Sequence, residues 1–449
     1  MKNLTQGNEL KQITLFSLPM LLGNIFQQLY NVVDSIVVGK SIGDHALAAV
    51  GISFPVWFIF ISLVIGFTMA CNILIAQFVG AKKDEEIDKV IQTSILILFW
   101  AGLVAAAVGI VCSPYILKII NTPSDVFEEA LIYLRLIFTG IIFLFIYNAF
   151  TAMLRGFGDS MTPLYALIIS TIINIGLDCL FVIVFKWGIA GAAIATVIAQ
   201  FVSCVWLILY SRIKYKAFRV NFFKLKFDKI ICVQSIKMGF PSGIQQALVG
   251  GGFMALLSIV NTFGTQTAAA YSAAGKLDGF IVMPALNIGV ALSSFTGQNI
   301  GAGKLDRVKR GLRASLFLGL GITVIATTVI VIFGKAAMFL FVNNPDVITL
   351  GARYLVIVAP AYFFNTITFT LNGVIRGAGE TVFPMISTLL AMWVFRVPTA
   401  AVLSRYLGSD GIWLAVSIGS AAGCFLTIIY YCSGKWKKKA SEILELKNK

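Results

Sequence analysis

The sequence predicts an all-α polytopic membrane protein, with about twelve transmembrane helices in two pseudo-symmetric six-helix bundles. Three observations carry that expectation. The 449-residue chain is 58% apolar and only 12% charged, about half the charge of an ordinary soluble domain. Apolar stretches long enough to cross a bilayer recur between short polar breaks. A set of short motifs also returns, in the same order, about 221 residues further along the chain.

The expected spans of the first half are 13–39, 48–77, 89–112, 126–150, 161–185 and 188–210. Those of the second half are 235–260, 268–298, 308–333, 347–374, 381–404 and 411–432. The polar opening Met1–Lys11 runs directly into the first span with no small-residue cleavage site, so no cleavable signal peptide is expected. The one long, strongly charged break, Ser211–Lys229, falls at mid-chain. The organisation is therefore an N-terminal bundle over 1–210, a basic cytoplasmic linker over 211–232, a C-terminal bundle over 233–433 and a cytoplasmic tail over 434–449.

A net charge of +15 raises the possibility of nucleic-acid binding, and the distribution of charge argues against it. Lys82, Lys83, Lys89, the Arg212–Lys229 segment, Lys304–Arg313 and the Lys435–Lys449 tail fall on one side of the spans. Only Lys40, Lys118, Lys186, Lys335 and Arg405 fall on the other. This asymmetry orients a multi-pass protein with both termini cytoplasmic, in the cell (inner) membrane, and it accounts for the charge without nucleic acid. The seven cysteines are scattered singly, mostly inside spans, as small apolar residues would be. His45, the only histidine, has no cluster of metal-ligating neighbours, and no nucleophile–base or His-Glu-x-x-His arrangement exists, so neither an enzyme nor a bound cofactor is expected. Asp34-Ser-Ile-Val-Val-Gly-Lys-Ser imitates a phosphate loop but lacks its first glycine and lies in a span, which argues against ATP-driven transport.

The repeat is specific in its parts. Gln77-Phe-Val-Gly-Ala-Lys matches Gln298-Asn-Ile-Gly-Ala-Gly, and Asn121-Thr-Pro-Ser-Asp matches Asn343-Asn-Pro-Asp. Arg155-Gly-Phe-Gly-Asp with Pro163 matches Arg376-Gly-Ala-Gly-Glu with Pro384, and Pro19 matches Pro241. An even number of spans per half relates the halves by an axis along the membrane normal. Two such bundles suit alternating access, with a solute held between them near mid-membrane. These paired halves and duplicated motifs, over essentially the whole chain, resemble the multidrug and toxic compound extrusion (MATE) transporters. The resemblance implies a cation-coupled antiporter that exports organic, often cationic, compounds against H⁺ or Na⁺, for which a monomer is sufficient. The alternative is a lipid-linked oligosaccharide flippase of related fold, which needs a cationic cleft for pyrophosphate; only Lys276 and Arg396 offer themselves.

The residues themselves converge on a site. Asp34 lies near the end of a long uncharged run, where a carboxylate is expensive unless it faces a protein interior or a watery cavity. Gln27, Asn31 and Asp34 share one face of the first span, and Asn174 and Asp178 share one face of the fifth. Asp34, Asp178, Thr196 in the sixth span and Tyr133 in the fourth all fall roughly 10 Å below the outer face at helical rise. Two carboxylates at one level cannot both stay ionised cheaply, so a proton or a cation should sit between them. Carboxylate, amide and hydroxyl oxygens are hard ligands, suited to H⁺ or Na⁺. The MATE resemblance implies Asp34 and Asp178 as carboxylate ligands and Asn174 and Thr196 as neutral ones, with Gln27, Asn31 and Tyr133 lining the same cavity.

The second half lacks this constellation: the repeat offset places apolar Ala255–Leu257 at the Asp34 position. Some MATE members carry acidic residues in the seventh and tenth spans; this chain has none there, so a Na⁺ site of that type is not expected. Lys276 and Asp278 are placed to pair near the outer boundary. Arg396, costly against lipid, is expected to face inward, bonding carbonyls or lining the cleft. Gly250-Gly251-Gly252 reads as a close-packing or kink site, and Pro360 and Pro398 as helix bends.

Overall fold

The computed structural model describes residues 3–222 and 224–445. Helix α1 spans Glu9–Ser41, α2 Asp44–Gly80, α3 Asp84–Ile119, α4 Ser124–Gly156 and α5 Met161–Asp178. A π-helical segment, Cys179–Val184, extends α5 before α6 at Gly188–Lys214. The second half holds α7 at Lys229–Asn261, α8 at Thr265–Gly301, α9 at Leu305–Phe339 and α10 at Pro345–Gly377. Helix α11 (Val382–Leu389) passes through a second π segment, Leu390–Arg396, into α12 (Val397–Leu407); α13 (Ser409–Cys432) and α14 (Lys435–Glu445) follow. No strand occurs among the described residues. Helices satisfy every backbone polar group internally, which the hydrocarbon core demands. Among the described residues, eleven segments are long and apolar enough to cross a membrane. Helix α1, at 33 residues, is the other long one, and Gln27, Gln28, Asn31 and Asp34 make it more polar than the rest.

The repeated motifs prove to be helix ends. In Gln77–Lys82 and Gln298–Gly303 the chain leaves a helix through a left-handed residue, Lys82 (φ 56°) in one half and Gly303 (φ 77°) in the other. The backbone bonds match as well: Lys83 N donates to Phe78 O and Lys304 N to Asn299 O. The glycines of the Arg-Gly-x-Gly motifs do the same work at Gly158 and Gly379, both with positive φ. The two arginines of these motifs are placed differently from each other. Arg376 Nη2 reaches across to Gln245 Oε1 of α7, 2.5 Å away, and Arg155 Nε is buried without a described partner.

The chain forms two compact units, and their limits depart from a division at the linker. One unit contains Pro19–Phe240 and the other contains Asn3–Leu18 with Pro241–Lys449. The first turns of α1 thus belong with the C-terminal helices, and those of α7 with the N-terminal ones. The switches fall at Pro19 and Pro241, the matched prolines, where the missing backbone N–H interrupts the helix ladder. Hydrogen bonds explain the exchange. Leu4 N donates to Gln298 Oε1 at 3.0 Å and Lys304 Nζ donates to Thr5 O at 2.9 Å. In the other unit, Asp228 N donates to Thr93 Oγ1 and Lys226 N to Gln92 Oε1.

Glycines set the closest helix approaches in the second unit. A Cβ on Gly373 of α10 would stand 2.4 Å from the carbonyl oxygen of Gly289 on α8. A Cβ on Gly252 of α7 would meet Met392 at 2.2 Å, so the triple glycine is a packing site, as its composition suggests. Helix α10 runs unbroken through Pro360, whereas Pro398 opens α12 directly after a π segment. The tail is partly helical: α14 buries Trp436 and Ala440 against Leu312, Phe295 and their neighbours. Residues 446–449 of the expected tail lie outside the described residues.

Candidate cation site

The site lies wholly within the unit formed by residues 19–240. Helix α5 carries Asn174 and Asp178 on one face, and both are 0% exposed. Immediately beyond Asp178 the helix loosens into its π segment, and Gly188 (φ 60°) turns the chain back into α6. The two arms pack closely, since a Cβ on Gly191 would lie 3.1 Å from Phe181 Cβ. The return brings Thr196 to Asn174, whose Nδ2 donates to Thr196 Oγ1 at 3.4 Å. Helix α1 supplies the other wall. Tyr30 OH lies 3.3 Å from Thr196 Oγ1, where either hydroxyl can donate. One turn later on α1, half-buried Asp34 reaches the carboxyl of Asp178. Tyr133 of α4 lies within electrostatic reach of both carboxylates and of Tyr30.

Oxygen acceptors outnumber donors here. Both oxygens of Asp178, Oδ1 of Asp34 and Oδ1 of Asn174 are buried, and none accepts a hydrogen bond from a described residue. Acceptors facing one another repel and lose solvation, which costs several kcal/mol for a charged pair. A proton shared between the carboxyls, or a hard cation among the oxygens, removes both penalties. The donor set fits either.

The other residues singled out in the sequence fall elsewhere. Gln27 and Asn31 are exposed on α1, on the helix face that also carries Asp34; Asn31 Nδ2 donates to Gln28 Oε1 at 3.4 Å. Arg396 belongs to the second unit, where its Nη2 donates to Ser420 Oγ (2.8 Å) and Val416 O (3.3 Å) of α13. That is the inward, carbonyl-bonded placement expected of a charge in a span. Lys276 and Asp278 do not pair. Two residues apart on a helix they point in different directions: Lys276 Nζ sits 5.6 Å from the centre of the Phe341 ring, and Asp278 accepts from the hydroxyls of Tyr354 and Tyr362 on α10. Sequence reasoning also passed over Tyr30, although its position four residues before Asp34 puts both on one helix face.

Comparison with known proteins adds a second line. The MatE family model matches residues 19–180 and again 241–402, two copies that coincide with the internal repeat. The chain belongs to the MATE family. It is 33% identical over 434 residues to the probable multidrug resistance protein YpnP of Bacillus subtilis (strain 168), covering 96% of this chain and 97% of that one. It is 26% identical to the probable multidrug resistance protein NorM of Thermotoga maritima, covering 96% and 94%. Among solved structures, a MATE in its bent conformation superposes with a TM-score of 0.91 at 23% identity, covering 98% and 99%. An outward-facing MATE transporter of the MOP superfamily gives 0.90 at 22% identity, covering 99% of each chain. This MATE protein is therefore a multi-pass membrane transporter.

Proposed function

We propose that this MATE transporter is an antiporter that exports organic, cationic solutes by alternating access, driven by H⁺ or Na⁺ bound at Asp34, Asn174, Asp178 and Thr196. Both termini face the cytoplasm, and one chain is the working unit. The observation that carries this reading is the pair of facing carboxyls, Asp34 and Asp178, with buried oxygens that no described residue satisfies. The multidrug-resistance names of its relatives support organic solutes as cargo.

The chemistry follows from linkage. An ion drives transport only through its differential affinity for two states of the protein, and the solute responds with the opposite preference. Entry of H⁺ or Na⁺ draws the carboxyls of α1 and α5 together; its departure leaves two like charges that favour a looser arrangement of the same helices. A pH gradient of one unit, or a tenfold Na⁺ gradient, supplies about 1.4 kcal/mol per ion, enough to sustain a roughly tenfold gradient of a monovalent cationic solute at electroneutral one-to-one exchange.

The test is efflux of a cationic dye from proteoliposomes under a pH gradient, a Na⁺ gradient or neither, with wild type, Asp34→Asn and Asp178→Asn in parallel. Wild type should export only under the gradient of its coupling ion, and both variants should fall to the rate seen without a gradient. Unimpaired gradient-driven export by both variants would overturn the assignment. Absence of dye movement under any gradient would redirect attention to lipid-linked sugars as cargo.

A further inference from the structure

Where α9, α13 and α14 meet, the second unit contains a cavity of about 320 Å³ whose lining includes Lys309, Leu312, Arg313, Tyr431, Trp436 and Lys437. Its two parts differ in chemistry. The floor is apolar: Trp436 and Leu312 are 1% and 6% exposed. Tyr431 and Trp436 stack there at 5.5 Å with 12° between their rings, and Trp436 Nε1 anchors the stack by donating to Tyr431 O at 3.1 Å. The rim is cationic. Lys309 and Arg313 are one turn apart on α9 and so share a face, and Lys437 Nζ stands 5.8 Å from the Trp436 ring centre on the facing helix.

Among the described residues, carboxylates leave this rim largely uncompensated. Asp306 Oδ1 takes a hydrogen bond from Lys309 at 3.3 Å, but that carboxylate is 86% exposed, so the pair is loose and solvent-screened. Neither Arg313 nor Lys437 has an ion-pair partner among the described residues. The position matters as well. Lys309 and Arg313 occupy the first turns of one span, Tyr431 and Cys432 the last turn of another, so the rim lies at the membrane boundary on the side of the basic loops.

We infer that this cavity is a binding site for a phosphate-bearing anion, with the phosphate held by Lys309, Arg313 and Lys437 and any apolar portion seated on Trp436, Tyr431 and Leu312. An anionic phospholipid brings both portions; free inorganic phosphate brings only the first. Basic pockets between spans on the cytoplasmic side have the chemistry that anionic headgroups require. A second cavity of about 400 Å³, lined by the end of α7, the two residues that follow it and α12, contains Arg405 as its one cation and serves as an internal control.

The experiment uses the full-length protein, delipidated in a neutral detergent and titrated with phosphatidylglycerol, phosphatidylcholine or inorganic phosphate, with native mass spectrometry and thermal shift as readouts. Wild type should retain phosphatidylglycerol in preference to phosphatidylcholine. The triple variant Lys309→Gln/Arg313→Gln/Lys437→Gln should bind it roughly 100-fold more weakly, each basic group near an anionic headgroup being worth about fivefold. Arg405→Gln should bind as wild type does. The triple variant's melting temperature in phosphatidylcholine alone establishes that it is folded. Binding of phosphatidylglycerol with phosphate inert assigns the site to lipid; equal, rim-dependent binding of inorganic phosphate assigns it to a soluble anion. Phosphatidylglycerol binding unchanged in the triple variant, or matched by phosphatidylcholine, overturns the inference.

Discussion

Arg307 Nη1 lies 3.1 Å from Glu9 Oε1 across 298 residues of sequence, and the pair fastens the start of the chain to α9. Arg307 also donates to Gln6 O at 2.9 Å and Gln12 Oε1 at 3.0 Å, while Arg310 Nε reaches the same Glu9 oxygen at 2.9 Å. Partial burial pushes the Glu9 carboxyl up, but the Arg310 hydrogen bond and the charges of both arginines outweigh it and hold the group below its ordinary 4.5. A depressed carboxyl contributes its stability above the unfolded value and loses it as pH falls through the lowered one. Protease cleavage within residues 3–12 should therefore stay slow at neutral pH and accelerate below about pH 4.5. Glu9→Gln should be fast throughout. Removing the buried donor in Arg307→Ala should weaken the tether by about 1.5–3 kcal/mol. Cleavage that ignores both substitutions would mean that the backbone contacts of Leu4 and Thr5 suffice alone.

The carboxylate of Asp278 depends on two tyrosines. Tyr354 and Tyr362 each donate to one of its oxygens from α10, and both rings are almost fully buried. Tyr354→Phe and Tyr362→Phe each strip one oxygen of its donor without changing the packed shape, which should cost about 1–3 kcal/mol of stability. Asp278→Asn in the double-Phe background should recover part of that loss by removing the charge left unpaired. The check is thermal unfolding in detergent for the four variants. A double-Phe protein as stable as wild type would show that water serves Asp278 as well as the tyrosines do.

Gly373 and Gly279 make a matched pair for testing the contact of α8 with α10. A methyl group on Gly373 would press to 2.4 Å from the Gly289 carbonyl oxygen, and backbone cannot yield as a side chain can. Gly279 has nothing within 4 Å of the corresponding position. Gly373→Ala should destabilise by about 1–3 kcal/mol through overpacking, and Gly279→Ala should be neutral or gain about 0.4–1 kcal/mol from reduced chain entropy. Equal melting temperatures for the two variants would argue that the helices separate at little cost.

What could be read from the sequence was what depends on periodicity and composition. The long helices follow from apolar runs, the repeat from matched motifs, and the common depth of Asp34, Asp178, Thr196 and Tyr133 from counting residues along helices of known rise. Illegible features depend on partners distant in sequence. Leu4 binds Gln298 and Asn299 through a backbone that any residue could supply, so the exchange of Asn3–Leu18 between units left no pattern beyond the matched Pro19 and Pro241. Lys276 and Asp278 invited pairing by their charges, and the tyrosines that take Asp278 lie more than seventy residues on, at |i−j| of 76 and 84. The π segments at Cys179–Val184 and Leu390–Arg396 lie within otherwise ordinary apolar runs whose composition does not mark them.

Within the candidate site, the neutral residues should behave differently from the acids. Thr196 Oγ1 joins the Asn174 amide to the Tyr30 hydroxyl, so Thr196→Val keeps the shape and breaks the link. Its loss loosens the oxygens around the two carboxyls without removing either charge. Gradient-driven efflux should survive in Thr196→Val and Tyr30→Phe. The ion concentration or pH giving half-maximal rate should shift by about 5- to 30-fold, equivalent to one hydrogen bond of about 1–2 kcal/mol. Asp178→Asn instead deletes a charge of the proposed ion site, and should abolish the gradient response at any ion concentration. Rate against ion concentration, fitted separately for maximal rate and midpoint, distinguishes the two behaviours. A Thr196→Val protein with an unmoved midpoint would place Thr196 outside the ion's surroundings and leave the two carboxyls to bind it with Asn174 alone.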